Sequence, residues 1–244
     1  MSDQQQKQEE APRRQFVTFG FYKVDPGWRR LLEKERTKGK REFCQVVKEY
    51  QDKGVEQGAI VISYSTVGLR GDVDFFLWRI SYSLEALQEM AAKLFATGLG
   101  QWLHTPLSYL SMTKRSIYLV GHQHEGQADS RGTLVPGQYK YLFVYPFVKT
   151  RQWYLLTEGT RQGMMKEHIV VGHKYPRVKL NTTYSFGLDD QDFVVAFESD
   201  HPADFVDLVM ELRASQGSEY TVRDTPIFTG VRGSMDQVLN LLGG

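Results

Sequence analysis

The chain has 244 residues, 41 % hydrophobic and 24 % charged, a globular composition with enough length for one large core or two fused units of about 110 to 120 residues. Thirty Lys and Arg stand against 29 Asp and Glu, and the resulting formal charge of +1 offers no overall field to gather nucleic acid or an anionic membrane surface. The one cysteine, Cys44, excludes an intrachain disulfide, and its place between Phe43 and Val46-Val47 reads as a packed thiol rather than a reactive one.

Residues 1–15 are polar, with Gln4 to Gln6 and Glu9 to Arg14, and read as a disordered tail lacking the apolar run of a signal peptide. No run of eighteen apolar residues follows, which excludes a membrane-spanning helix, so a soluble, cytoplasmic protein is expected. An aromatic strand at Phe16 to Tyr22 leads into a long amphipathic helix with Trp28 near its start. Gly68-Leu69-Arg70-Gly71-Asp72-Val73-Asp74 then joins two strands with hairpin chemistry. A helix at Ser83 to Ala96 and a strand at Leu107 to Thr113 complete a first unit, residues 16–114. Residues 115–136, containing Gly121, His122, His124, Gly126 and Gly132, read as a linker loop.

The second unit, residues 137–244, repeats this order at an offset of about 119 residues. A strand at Tyr139 to Pro146 precedes a helix carrying Trp153; Gly187-Leu188-Asp189-Asp190-Gln191-Asp192 answers the first hairpin turn with one residue of slip. A helix at Ala203 to Ala214 and a strand at Ile227 to Val231 follow. The order strand, helix, strand, strand, helix, strand predicts an α+β protein. Its two fused ferredoxin-like repeats would pair antiparallel sheets into a barrel-like core, as in dimeric α+β barrels.

The second unit carries the residues with chemical meaning. His168 and Met164 are four apart on a predicted helix and share one face with Met165 and Ile169 at its edge. Taken alone, His168 reads as a core or rim histidine, because it has no partner ligands for a tetrahedral metal site. His173 would point about 140° away around the helix, so the two could not share a metal.

Tyr141-Leu142-Phe143-Val144-Tyr145-Pro146-Phe147-Val148-Lys149 with Trp153-Tyr154, then Met164-Met165-Lys166-Glu167-His168, Lys174-Tyr175-Pro176 and Tyr184-Ser185-Phe186-Gly187-Leu188-Asp189-Asp190 resemble the chlorite dismutase family. Their order is closest to its coprohaem decarboxylase branch. The resemblance covers most of residues 131 to 232; the first unit shares mainly element order and Val67-Gly68-Leu69 with Asp72 and Asp74.

The resemblance implies an enzyme that uses hydrogen peroxide to decarboxylate iron coproporphyrin III (coprohaem) to haem b. In it His168 would be the axial iron ligand, a porphyrin supplying the other four nitrogens. Tyr145 would be oxidised to a radical, and Lys149 would hold the reacting propionate. Arg131, Tyr109, Ser111, Arg213 and Ser218 would bind the remaining carboxylates, with Trp153 and Phe147 as pocket or core aromatics, and Glu219 is a candidate to accept the second ring proton of His168.

Thirteen residues after His168, Asn181 occupies the expected distal place, where chlorite dismutases project an arginine. An amide supplies dipole but no charge to retain hypochlorite, so chlorite dismutation is disfavoured unless Arg177 or Lys179 takes the position. Weak haem peroxidase activity and non-catalytic haem binding or transfer stand as alternatives. A distal base could come from His122 or His124. The resemblance also implies a homopentamer and a coproporphyrin ferrochelatase as pathway partner.

Overall fold

The computed structural model describes residues 13–116 and 132–243. Its first half contains β1 (Phe16–Val24), α1 (Glu33–Asp52), α2 (Gly54–Gln57), β2 (Ile60–Ser65), β3 (Phe75–Ser81), α3 (Leu84–Phe95) and β4 (Leu103–Met112). The second contains β5 (Tyr141–Lys149), α4 (Arg151–Leu155), α5 (Glu158–His173), β6 (Lys179–Tyr184), β7 (Phe193–Ser199), α6 (Pro202–Arg213), β8 (Thr221–Arg223), β9 (Phe228–Gly233) and α7 (Met235–Asn240).

The strands pair in the order β7-β6-β4-β1-β3-β2-β9-β5-β8, and a further β7–β5 pairing closes eight of them into a barrel-like ring with β8 appended to β5. These strands all pair antiparallel. Because side chains alternate faces along a strand, each strand contributes one set to the ring interior and one to the helices outside. Phe19, Phe21, Trp78, Val144, Ala196 and Phe228 pack inside. Outside the first half, Phe43, Val47, Met90 and Leu239 from the helices meet Tyr22 and Phe75 from the strands. A smaller outer cluster in the second half holds Phe143, Tyr145, Phe197, Phe205 and Leu208.

The duplicated hairpins repeat bond for bond. Thr66 N donates to Asp74 O at 2.9 Å and Ser185 N to Asp192 O at 2.8 Å; Leu69 N reaches Thr66 O and Leu188 N reaches Ser185 O, both at 2.8 Å. Gly68 and Gly187 occupy matching left-handed positions, φ 78° and 71°, where a β-carbon would be strained. Each turn ends on an aspartate that grips the first strand of its own half: Asp74 accepts from Val24 N and Asp192 from Lys149 N.

Two expected helices are divided. Trp28 lies in a short 3-10 turn, Pro26–Arg30, capped by Asp25, before extended Leu31 and Leu32 separate it from α1. Trp153 lies in α4, and extended Leu156 and Thr157 precede α5, whose first turn Thr157 caps. α5 starts anew on the Thr157 hydroxyl, which accepts from Thr160 N, whereas α1 starts with Glu35 reaching back to accept from Leu32 N. Both tryptophans are buried, so each short turn serves as a plug at a helix entrance.

Gly230 sits where β9 crosses the ring interior: a β-carbon there would come 2.5 Å from the Phe76 ring and 2.7 Å from Tyr64 Cβ. Gly230→Ala is expected to cost about 1–3 kcal/mol by overpacking, measured as a lower denaturant midpoint at unchanged slope.

Candidate functional site

The two halves differ most in how their long helices meet the sheet. α1 buries five residues, Gly39, Lys40, Phe43, Val47 and Tyr50, whereas α5 buries none. α5 leans chiefly on α6 and on the turn Gln216–Tyr220, while α1 packs against β2, α3 and α7. A half-buried stripe nevertheless runs along α5, through Arg161, Met164, Met165, His168, Ile169 and Gly172. It marks the face turned towards the protein.

This face borders a concave space. His168 keeps partial solvent contact, yet desolvation, reinforced by the nearby Lys149 charge, pushes its pKa down to about 4. A ring surrounded by protein but still reached by solvent stands in the wall of a recess. Gly217 says the same from the other side, being buried although a β-carbon added to it would meet nothing within 4 Å. At neutral pH the imidazole is uncharged and has a nitrogen lone pair to offer. Among the described residues no group of three His, Cys, Asp or Glu could hold a metal, so a metal bound at His168 must bring most of its own ligands.

β5 supplies the opposite wall. Phe143 and Tyr145 belong to the outer cluster with Phe147 packed against it, whereas Leu142 and Val144 point into the ring. By the same alternation Lys149 faces outward with Tyr145. Tyr145 is 7 % exposed, and burial, with the Asp224 charge adding to it and Arg213 opposing, raises its phenol pKa well above the usual range. The Lys149 ammonium donates to Gly217 O and lies 4.6 Å from the Trp153 ring and 5.2 Å from that of Phe147. Desolvation lowers its pKa to about 8.

The turn after α6 completes this rim. Ser218 Oγ donates to Arg213 O at 2.7 Å, Arg213 pairs with Asp224 at 2.8 Å, and Tyr220 packs on Trp153. Lys149, Trp153, Phe147 and Ser218 are therefore gathered about the Gln216–Tyr220 turn, and the Lys149 charge reaches His168. Glu219 is exposed; the carboxylate whose charge reaches His168 is that of Glu167, which accepts from Gln216 N at 3.2 Å.

Three expected site residues face elsewhere. Asn181 pairs in register with Ala196, an interior residue. Its amide donates to Glu198 Oε1 at 2.9 Å, and both side chains are sealed in the ring, 1 % and 0 % exposed. The residues of β6 that share the helix side with Tyr145 are Leu180, opposite Phe197, Thr182, opposite Val195, and Tyr184, opposite Phe193. Counting thirteen residues from His168 thus lands one position off, and one position on a strand reverses the face.

Tyr109 also packs inside the ring, edge-on to Phe21, and Ser111 Oγ shares a 2.7 Å hydrogen bond with Thr183 there. Neither reaches the recess wall. Arg177 pairs with Asp204 and Lys179 donates to Val135 O, so neither replaces Asn181 on the helix-facing wall. His173 is exposed. Arg131, His122 and His124 lie outside the described residues.

The fold has known counterparts. A family model described as chlorite dismutase matches residues 5–233, and the chain belongs to that family. It is 31 % identical over 225 residues to a coproheme decarboxylase of Mycolicibacterium smegmatis (strain ATCC 700084 / mc(2)155), covering 92 % of each chain. It is 27 % identical over 211 residues to the chlorite dismutase of Ideonella dechloratans, covering 85 % of this chain and 72 % of that one. The solved structure of chlorite dismutase from Candidatus Nitrospira defluvii in complex with imidazole superposes with a TM-score of 0.82 at 24 % identity, over 93 % of this chain and 94 % of the other. That likeness fixes the fold. No helix among the described residues is long and apolar enough to cross a membrane.

If Asn181 serves the ring interior, Asn181→Ala should lower stability by about 1–3 kcal/mol, since it removes a donor from a fully buried carboxylate. Urea unfolding monitored by circular dichroism measures the loss; an unchanged midpoint would place the side chain elsewhere.

Proposed function

We propose that this chain is a hydrogen-peroxide-dependent coprohaem decarboxylase, converting two propionates of iron coproporphyrin III to vinyl groups and yielding haem b. The observation that carries the reading is the desolvated, neutral His168 on the recess face of α5, across from a sheet face bearing Tyr145 and Lys149. A flat iron ligand that brings four nitrogens needs one axial imidazole and an apolar wall. Met164, Met165 and Ile169 beside His168, with the open space at Gly217, suit such a group.

Bound iron would supply the oxidising equivalents of peroxide. For each side chain, –CH2CH2COOH and H2O2 become –CH=CH2, CO2 and two H2O, so one peroxide accepts the two hydrogens lost. Tyr145 would relay that oxidation. Its raised pKa keeps it a phenol, and a phenol in a desolvated site gives up its electron together with its proton. Lys149 would hold the substrate carboxylate, a cation whose own desolvation strengthens any pairing made inside the recess. Ser218 and Arg213, on the rim, would orient a further carboxylate.

The β6 wall argues against chlorite as substrate. Leu180 and Thr182 present no cation where the distal arginine of a chlorite dismutase is expected, and retention of a departing hypochlorite calls for one there. The same reading carries the expectation of a homopentamer working beside a coproporphyrin ferrochelatase.

Coprohaem-loaded protein treated with peroxide and analysed by pigment chromatography should yield the two-propionate product. Tetrapropionate that remains unchanged would refute the reaction, and oxygen release from chlorite would favour the rival activity. His168→Ala should abolish both the bound Soret spectrum and conversion. Tyr145→Phe should keep the spectrum while conversion falls by roughly a hundredfold or more; equal loss of both would make Tyr145 a packing residue.

A further inference from the structure

Resting on that reading, we propose that Arg161 is a binding residue for the porphyrin, pairing with a carboxylate at the ring periphery. Arg161 precedes His168 by seven residues on α5, which places the two within about 20° of each other around the helix and about 10.5 Å apart along it. Its neighbours Glu158, Gly159, Thr160, Gln162 and Gly163 are exposed, whereas Arg161 itself is half-buried on the stripe with Met164, Met165 and His168. The position points inward, where an amphipathic helix ordinarily puts an apolar side chain.

The guanidinium there is not satisfied by the protein. Its Nε is buried and has no hydrogen-bond partner, and no ion pair engages it among the described residues. Four acids on the surrounding elements are committed to other groups: Asp204 holds Arg177, Glu211 holds Lys174 and Tyr175, Asp224 holds Arg213, and Glu167 accepts from the Gln216 amide. Glu158, Asp207 and Glu219 are exposed on the solvent side and form no ion pair with Arg161. A sealed, unpaired guanidinium N–H is costly. It becomes favourable when an anion enters the recess, and the planar fork suits a carboxylate. Were a porphyrin held at His168, a cation about 10.5 Å farther along the same stripe would suit its periphery, where coprohaem carries its carboxylates.

The test is equilibrium titration of the purified protein with coprohaem and with coprohaem tetramethyl ester, followed by Soret absorbance. Arg161→Met should weaken coprohaem binding about ten- to a hundredfold and leave ester binding unchanged, with Arg161→Lys in between. The thermal midpoint of ligand-free Arg161→Met should equal or exceed that of the parent, because an unpaired buried donor is removed. Equal weakening of acid and ester, no weakening of either, or a destabilised ligand-free variant would each overturn the role given to Arg161 while leaving the proposed reaction intact. A parent protein that binds neither ligand would overturn both.

Discussion

Closure of the strand ring through β5 and β7 is the constraint on which the site depends. Its register sets Val144 against Ala196 and Tyr145 against Val195, and alternation along each strand then sorts every residue of the second half by face. Val144 and Ala196 fill the ring, and Tyr145 and Val195 turn towards the helices. A slip of one residue would bury Tyr145 among the interior aromatics and expose the apolar set. The large buried rings at Phe19, Phe21 and Trp78 oppose such a slip, because their volume matches only one arrangement of facing strands.

On this common scaffold the halves have taken opposite courses. In the first, Phe43, Val47 and Tyr50 of α1 reach down and complete a core with Tyr22 and Phe75. In the second, the corresponding long helix offers Met164, Met165, His168 and Gly172, and none of them is fully buried. One repeat spends its helix on stability and the other holds a recess open. The recess in turn produces the electrostatics. Desolvation alone lowers the Lys149 pKa, and it leads the causes that lower that of His168 and raise that of Tyr145. Three ionisable side chains are thereby kept neutral or loosely charged without a dedicated partner for each.

The duplicated architecture was legible in the chain because its signals are local. The paired glycine turns, the aspartates that close them and the aromatic strands can all be read within ten-residue windows, and the structure repeats the hydrogen bonds of the turns with the same one residue of slip. The splitting of the helices at Leu31-Leu32 and Leu156-Thr157 was less visible, since hydrophobic periodicity runs on through a short extended break. Tyr145, Lys149, Trp153 and Ser218 were singled out through motif resemblance; the Lys149 ammonium lies over the Trp153 ring and bonds the turn that carries Ser218, and Tyr145 lies in the outer cluster against which Phe147 packs. Asn181, Tyr109 and Ser111 were chosen by the same means and face the ring, because a motif match does not say which side of a sheet a residue takes until strand register is fixed.

What the sequence by itself determined is therefore the class of fold, its internal repeat, and the helix bearing His168, all properties of periodicity and turn chemistry. Sidedness was decided only by the tertiary structure: Leu180 and Thr182 rather than Asn181 on the helix-facing wall, and Arg161 inward with its Nε unpartnered. The physical reason is that these depend on strand register across ring closure and on which acids are already engaged, and both are set by residues far apart in the chain.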